Sequence, residues 1–242
     1  MITVRELYAL WGSDEEFHPE LRQSLEPRGP EWLLELFAGL GPKPGEFVLD
    51  VGARDGRHLA RLVAEHGVEG LALDPVPQSP EVVEGVIEAL PVDDGGVDWI
   101  WCRDVLVHVD VERGLAECAR VLKPGGKMLA YVTLATALLE PREEQRLKDA
   151  VALTCLDGER IERAAAAAGL VTEQKIELGG EWRERLIEDG EYDPTDSLLR
   201  LSRMRRLGIE SPHHEIDLTW GIYQLLGKLC PTVYVWSTTS SA

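Results

Sequence analysis

The chain has 242 residues, enough to bury a full hydrophobic core without disulfides or structural metals. It carries 25 Lys and Arg residues against 43 Asp and Glu residues, for a formal net charge of −18 at pH 7. Proteins that bind a phosphate backbone or an anionic membrane surface need clustered cations. This balance therefore argues against nucleic-acid and membrane partners.

The sequence also lacks the signals of export, membrane insertion and zinc binding. No run of 18 apolar residues occurs, and the start of the chain soon turns acidic instead of following the basic-then-apolar layout of a signal peptide. We therefore expect a soluble cytoplasmic protein. Its cysteines form no CxxC pair, which fits reduced thiols and no metal site: Cys102, Cys118, Cys155 and Cys230.

Strand-like and helix-like segments alternate through the middle of the chain, which is typical of an α/β fold with helices on both faces of a parallel sheet. Helices are predicted at 4–24, 30–40, 56–66 and 111–122. Strands are predicted at 47–51, 70–74, 82–85, 97–102, 127–134, 171–178 and 232–237. A turn, Lys123-Pro124-Gly125-Gly126, is predicted to end the helix over 111–122.

The pattern predicts one domain over 1–242 with a helical lid at each side of its core. Residues 179–230 are too many for a hairpin loop and too periodic for disorder, so they are interpreted as a helical insertion before the last strand. The predicted parts are an N-terminal helical lid (1–29), a ligand-binding core (30–178), the insertion (179–230), and the last strand with a tail (231–242).

A glycine-bearing turn follows the first predicted strand. That strand ends in Asp50, and Gly52 and Gly56 lie in the turn that opens the next helix. Doubly wound sheets bind ligands outside the carboxyl ends of their strands, and glycine lets the backbone approach a ligand closely. A purely structural turn explains the motif equally well on its own.

The second predicted strand ends in Asp74, roughly twenty residues after the first turn. A carboxylate there can accept hydrogen bonds from both hydroxyls of a ribose. Enzymes that bind NAD and enzymes that bind S-adenosylmethionine share this pair of features, so downstream segments must separate the two classes.

Three downstream segments resemble class I S-adenosylmethionine-dependent methyltransferases of the small-molecule, methyltransferase-11-like type. They are 88–98 (beginning Glu88-Ala89-Leu90-Pro91), 104–109 (Asp104-Val105-Leu106-Val107-His108-Val109) and 120–126 (Arg120-Val121-Leu122-Lys123-Pro124-Gly125-Gly126). The resemblance is sharp over 47–134. It implies a doubly wound, Rossmann-like sheet of seven strands whose last strand is antiparallel, and S-adenosylmethionine as the cofactor.

The resemblance also implies positions for each part of the cofactor. The methionine part would lie near Asp50, Gly52 and Ala53, and the ribose would lie on Asp74. The adenine would lie against Pro75, Val86, Ile87 and Glu88, with Cys102 and Arg103 beside the sulfonium.

The chain departs from the family pattern in three ways. Arg54 stands where most members have a second glycine, and its guanidinium could pair with the cofactor carboxylate. Val86 stands where many members carry an acid, so adenine selectivity would rest on the Ile87 amide and on Glu88. The connection between the second and third strands is too short for the usual helix, so we expect 75–80 to be irregular.

Two side chains after the fourth strand are candidate catalytic groups. His108 is the first candidate for a general base, and Asp104 is comparably placed. Local packing or capping is the alternative for His108, and an N-terminal cap is the alternative for Asp104.

The acceptor site is predicted from aromatic and basic residues in the flanking segments. Arg200 and Arg203 could hold a carboxylate or phosphate of an anionic small-molecule acceptor, although a solvated face is the alternative. The candidate walls, for which core or amphipathic-helix packing is the alternative, are Tyr8, Trp11, Trp182, Trp220 and Tyr223.

The favoured function is methyl transfer to an oxygen, nitrogen or carbon of a small molecule, with monomer and homodimer both open. A non-catalytic cofactor-binding module is the alternative, suggested by Arg54 and Val86. An NAD(P) oxidoreductase is disfavoured, because Gly52 to Gly56 does not give the GxGxxG spacing.

Overall fold

The fold is described by a computed structural model in which residues 3–6, 29–179, 202–209 and 212–239 are placed, with the side chains of 212–218 outside the description. Residues 4–6 are helical. The helices are α1 (Pro30–Gly39), α2 (Arg57–His66), α3 (Val111–Val121), α4 (Pro141–Val151), α5 (Gly158–Ala167), α6 (residues 202–207) and α7 (Pro212–Leu225). The strands are β1 (Phe47–Val51), β2 (Glu69–Asp74), β3 (Val83–Glu84), β4 (Val97–Arg103), β5 (Leu122–Ala135), β6 (Leu170–Glu177) and β7 (Leu229–Thr238).

One seven-stranded sheet organises the described residues, in the order β3-β2-β1-β4-β5-β7-β6. The pairs among β1, β2, β3, β4 and β5 are parallel, whereas β7 pairs antiparallel with both β5 and β6. The predicted doubly wound α/β sheet with an antiparallel last strand is therefore confirmed. Because β2, β1 and β4 are neighbours, their carboxyl ends meet at one edge.

Each face of the sheet buries its own core. On one face, α1 and α2 pack through Leu33, Phe37 and Leu62, and this core also takes Trp99 and Trp101 of β4. On the other face, α3, α4, α5 and part of α7 cover alternate residues of the same strands, among them Ile100 and Cys102. Successive side chains of a strand point to opposite faces, so neighbours along β4 enter different cores.

The turn predicted at 123–126 is wrong as a separate element, because these residues lie inside β5. Leu122 pairs with Val97, and pairing resumes at Lys127 with Trp99. The four residues between form a bulge in a strand that begins as soon as α3 ends at Val121. Lys123 donates to the Asp98 carboxylate of β4 at 2.7 Å, which ties the bulge to its neighbour.

The connection after β2 contains no helix, as its length predicts.

Polar residues fix the starts of later helices: Asp110 accepts from the Arg113 amide at the start of α3, and Asp157 accepts from the Arg160 amide at the start of α5. Among the described residues, no helix combines the length and apolarity needed to cross a bilayer.

The β1–α2 turn depends on a glycine in the left-handed region. Gly52 has a φ of +75°, and a Cβ added there would lie 2.3 Å from Cγ2 of Val105. The amides of Gly52 and Ala53 both donate to the Leu73 carbonyl, which joins the turn to β2. A larger residue would meet both backbone strain and a steric clash.

We predict that Gly52→Ala destabilises the fold by about 2–4 kcal/mol, from overpacking and left-handed strain together. Urea denaturation measures the free energy of unfolding. The double variant Gly52→Ala/Val105→Ala should be less destabilised than the sum of its single variants, because the clash is removed. Strict additivity would contradict the steric explanation.

Candidate functional site

The candidate site lies at the sheet edge formed by the carboxyl ends of β1, β2 and β4. The Gly52 turn leads into α2 through Gly56, which also has a left-handed φ of 78°. Of the described non-glycine residues, those with positive φ are Arg54, Asp104 and Ala152, at 55°, 58° and 49°. Arg54 follows β1 and Asp104 follows β4. Strained backbone of this kind gathers at functional sites and costs of order 1–3 kcal/mol per residue.

Asp74 is held in a fixed orientation at the end of β2. Its Oδ2 accepts from the Arg54 amide at 2.9 Å, and its Oδ1 accepts from the Val76 amide at 2.8 Å. Each carboxylate oxygen can accept more than one hydrogen bond. The half-buried carboxylate is therefore oriented by the backbone and still able to accept from two neighbouring hydroxyls.

The Arg54 side chain extends toward the β2–β3 connection. Its Nε donates to Oε1 of Gln78 at 2.9 Å, and the Arg54 carbonyl accepts from the Gln78 amide at 2.8 Å. The side chain is exposed. The arginine that replaces the usual glycine thus braces the irregular connection after β2.

Asp50 is a buried carboxylate, only 1% exposed. Its Oδ2 has no hydrogen-bond partner among the described residues. Burial raises the pKa of Asp50 to about 7, against the opposing effects of His58, the Leu59 amide and Arg103. A donor or cation placed beside Oδ2 would satisfy that oxygen and favour the ionised form.

His58, which the sequence reasoning missed, contacts Arg103 across the site. Nη1 of Arg103 lies 2.9 Å from Nε2 of His58. The imidazole also packs on the Trp101 indole, with ring centroids 5.6 Å apart. Its position in the sequence could have indicated this role. His58 is in the first turn of α2, directly after the glycine turn, and a side chain there can reach the end of β4.

The predicted adenine residues split between surface and core. Pro75 and Val86 are exposed, whereas Ile87 is buried and packs near Gly114. Oε1 of Glu88 accepts from the Asp110 amide at 3.0 Å, so this side chain links the segment after β3 to the start of α3.

Cys102 faces away from the predicted sulfonium position. Its side chain is fully buried in the core covered by α3, α4 and α5, and desolvation raises the pKa of the thiol well above its ordinary value. The backbone of Cys102 remains the part that can border the site. Arg103, one residue on, points to the opposite face of the sheet.

The turn after β4 carries both predicted catalytic side chains. Asp104 is half-buried, and its amide donates to the Tyr131 carbonyl at 2.9 Å. His108 is exposed, with Nδ1 3.4 Å from the Ala152 carbonyl. A carbonyl only accepts, so this long contact favours the tautomer with the proton on Nδ1. Nε2 of His108 would then be the basic nitrogen.

The predicted acceptor residues are only partly described. Tyr8, Trp11, Trp182 and Arg200 lie outside the described residues. Arg203 is exposed on α6. Trp220 and Tyr223 are partly buried against the core of α3, α4 and α5, and the Lys228 ammonium lies 5.4 Å from the Tyr223 ring centroid. Lys228 also forms an ion pair with Glu143 of α4.

Comparison with known proteins identifies the central region. Residues 49–130 match a family model described as a methyltransferase domain. An uncharacterised methyltransferase of Mycobacterium bovis is 33% identical over 134 residues, covering 51% of this chain and 52% of the relative. A sarcosine/dimethylglycine N-methyltransferase of Halorhodospira halochloris is 30% identical over 143 residues, covering 50% of each chain. The chain thus spans about half the length of these curated relatives.

The fold extends further than the sequence similarity. The structure of geranyl diphosphate C-methyltransferase from Streptomyces coelicolor A3(2), solved with Mg²⁺, geranyl diphosphate and S-adenosyl-L-homocysteine, superposes with a TM-score of 0.66. It covers 86% of this chain and 80% of its own, at 15% identity, which shows the fold alone. The family match over 49–130 confirms the resemblance to methyltransferases in that region, and the superposition confirms the fold.

We predict that Asp50→Asn changes how stability depends on pH. The folded pKa of about 7 exceeds the unfolded value, so the folded protein binds more protons between about pH 4 and 7. The free energy of unfolding of the wild type should therefore fall by up to about 4 kcal/mol relative to that of Asp50→Asn as pH rises through this window. Urea denaturation at several pH values measures the difference.

Asp94→Asn, at a carboxylate whose side chain is 82% exposed, is the matched control for this comparison. If the free energies of unfolding of wild type and Asp50→Asn change in parallel from pH 4 to 8, the raised pKa of Asp50 is contradicted.

Proposed function

We propose that this chain, whose residues 49–130 match a methyltransferase domain, transfers a methyl group from S-adenosylmethionine to a small-molecule acceptor. The product derived from the cofactor would be S-adenosylhomocysteine. We further propose that the protein acts in the cytoplasm, and that the acceptor is neither a nucleic acid nor a membrane lipid, in keeping with the net charge of −18.

The observation that carries this proposal is the orientation of Asp74. Two backbone amides fix the carboxylate at the end of β2, beside the left-handed turn that follows β1. A ribose presents two adjacent hydroxyls, and a fixed carboxylate can accept from both without further ordering. In our proposal the adenine lies at this side of the site, beside the short connection braced by Arg54 and Gln78 and against Pro75, Val86, Ile87 and Glu88.

The other end of the edge suits the charged part of the cofactor. Asp50 supplies a buried carboxylate oxygen without a partner, which fits an ammonium or the positive field of a sulfonium. Gly52 and Ala53 bring backbone close to that position. Asp50, Asp74 and Asp104 all lie at the carboxyl ends of the strands, which suits a ligand with two positive centres.

When bound, the cofactor supplies a methyl group that is already electrophilic. The protein must therefore position the acceptor and exclude water, which can contribute roughly 7–11 kcal/mol. In our proposal, Nε2 of His108 removes a proton when the acceptor is a hydroxyl or an acidic carbon. The Ala152 carbonyl keeps the other ring nitrogen protonated. Asp104 is the second candidate for this role.

The proposed acceptor is a small molecule. The name of the Halorhodospira halochloris relative supports a small molecule, and Arg200 and Arg203 would suit an anionic one. Tyr8, Trp11, Trp182, Trp220 and Tyr223 stay candidate walls of its pocket. Because Trp220 and Tyr223 pack on the face of α3, α4 and α5, they could reach the acceptor only from the His108 side of the edge.

A non-catalytic cofactor-binding module is the second candidate function. The observation that favours it is Arg54, a strained arginine at a position where the family usually has glycine. Such a module would bind the cofactor without turning it over on any acceptor.

We predict that Asp74→Ala lowers the affinity for S-adenosylhomocysteine at least 100-fold. The change removes the acceptor of the ribose hydroxyls and also the partner of two backbone amides. Isothermal titration calorimetry measures the affinity, with Asp94→Ala as the control carboxylate. An affinity of the variant within threefold of wild type would rule out Asp74 as the ribose ligand. If the wild-type protein binds NAD and binds neither S-adenosylmethionine nor S-adenosylhomocysteine, the proposed function is ruled out.

We predict that His108→Asn lowers turnover about 10²–10⁴-fold on a hydroxyl or carbon acceptor and leaves cofactor affinity within twofold. Asparagine keeps a donor for the Ala152 carbonyl and removes the basic nitrogen. The rate of S-adenosylhomocysteine formation, followed against pH, measures turnover. Wild-type turnover in this variant would exclude His108 as the base.

A further inference from the structure

We propose that Arg103, oriented by His58, forms a carboxylate-binding site at the end of β4 that holds the carboxylate of the cofactor's amino-acid part. The inference rests on the proposed function and assigns roles to two side chains within that site. His58 would act as a positioning residue, and Arg103 would touch the ligand.

The contact between the two side chains fixes the direction of the guanidinium. A guanidinium only donates, so in the 2.9 Å contact Nε2 of His58 is the accepting atom. The imidazole thereby orients a group that has five N–H donors in one plane.

The support for His58 is rigid. Its ring packs on Trp101, and Trp101 makes an edge contact with Phe37 of α1, with centroids 5.9 Å apart. Both Trp101 and Phe37 are almost fully buried. A side chain held by buried aromatic rings loses little further freedom when it orients a neighbour, so the guanidinium is organised before a ligand arrives.

The neighbouring charges match an amino-acid group. Asp50 pairs with Trp101 in the register of β1 and β4, and its unpartnered Oδ2 lies on the same face of the sheet as Arg103. A buried acid beside a fixed guanidinium offers one partner for an ammonium and one for a carboxylate. Guanidinium binds carboxylate through two parallel bonds, which makes it the better partner for that group.

Arg54 is the competing guanidinium, and its geometry argues against this role. Its side chain is exposed and bonded to Gln78 at the β2–β3 connection, beside the proposed ribose and adenine positions. Arg103 instead stands at the end of β4, next to β1. The cofactor carboxylate that the sequence paired with Arg54 is therefore assigned to Arg103.

The test compares two ligands that differ in the amino-acid part. S-adenosylhomocysteine carries the carboxylate, and 5′-methylthioadenosine lacks the whole amino-acid group. By titration calorimetry, Arg103→Gln should lower the affinity for S-adenosylhomocysteine about 10- to 100-fold and leave that for 5′-methylthioadenosine within threefold. Arg57→Gln is the control, because it removes an exposed cation from the turn of α2 that also carries His58. It should leave the ratio of the two affinities unchanged.

His58 variants test the positioning role. His58→Phe keeps an aromatic ring on Trp101 and removes the acceptor, so it should lower the affinity ratio about three- to tenfold. His58→Gln restores an acceptor and should recover most of that loss. In an Arg103→Gln background the His58→Phe effect on the ratio should vanish, because the positioned group is absent.

The outcomes separate this inference from the proposed function. A wild type that binds neither ligand contradicts the proposed function. A wild type that binds both, with an Arg103→Gln variant that weakens both equally or neither, overturns the carboxylate assignment alone. An acceptor carboxylate at Arg103 would give unchanged affinities for both ligands, and so counts against the assignment to the cofactor.

Discussion

The site depends on the close packing of the turn between β1 and α2. Gly52 turns the chain in a left-handed conformation against Val105, and the Leu73 carbonyl binds the amides of Gly52 and Ala53. These contacts fix the end of β1 relative to β2 and to the segment that follows β4. Asp50, Asp74 and His58 reach one edge because this turn holds the three elements together.

Charge is distributed unevenly around that edge. The chain carries a net charge of −18, yet Arg103 stands half-buried at this edge in contact with His58. Desolvation works against the charge of Asp50, whereas His58 and Arg103 work in its favour. A bound zwitterion would place its ammonium beside Asp50 and its carboxylate beside Arg103. The same edge would therefore gain stability from the ligand that it recognises.

Much of the fold followed from periodicity and from turn chemistry. The seven strands and the antiparallel β7 came from the family resemblance, while the ends of β1 and β2 were marked by Asp50 and Asp74 in the sequence itself. The bulge at 123–126 was misread because Pro-Gly-Gly is typical of a turn, and only pairing with Val97 and Trp99 of β4 draws these residues into β5. Tertiary pairing overrode local propensity at this point.

The side-chain partners could not be read from the sequence in the same way. Arg103 and His58 are 45 residues apart, and their contact requires the register of β1 with β4 and the first turn of α2. The sequence indicated Arg54 as the partner of the cofactor carboxylate, whereas its side chain donates to Gln78. Residue type predicted the chemistry of the site, whereas the direction of each guanidinium depended on packing.

The two cores suggest that cofactor binding and acceptor binding use residues from opposite faces of the sheet. Arg103 and His58 belong to the face of α1 and α2, whereas Trp220, Tyr223 and the α4 end that contacts His108 belong to the face of α3, α4 and α5. In our proposal, residues of the first face hold the cofactor. Residues on the second face, together with segments beyond those described, would then select the acceptor. This separation would let acceptor choice change without disturbing the residues that hold the cofactor.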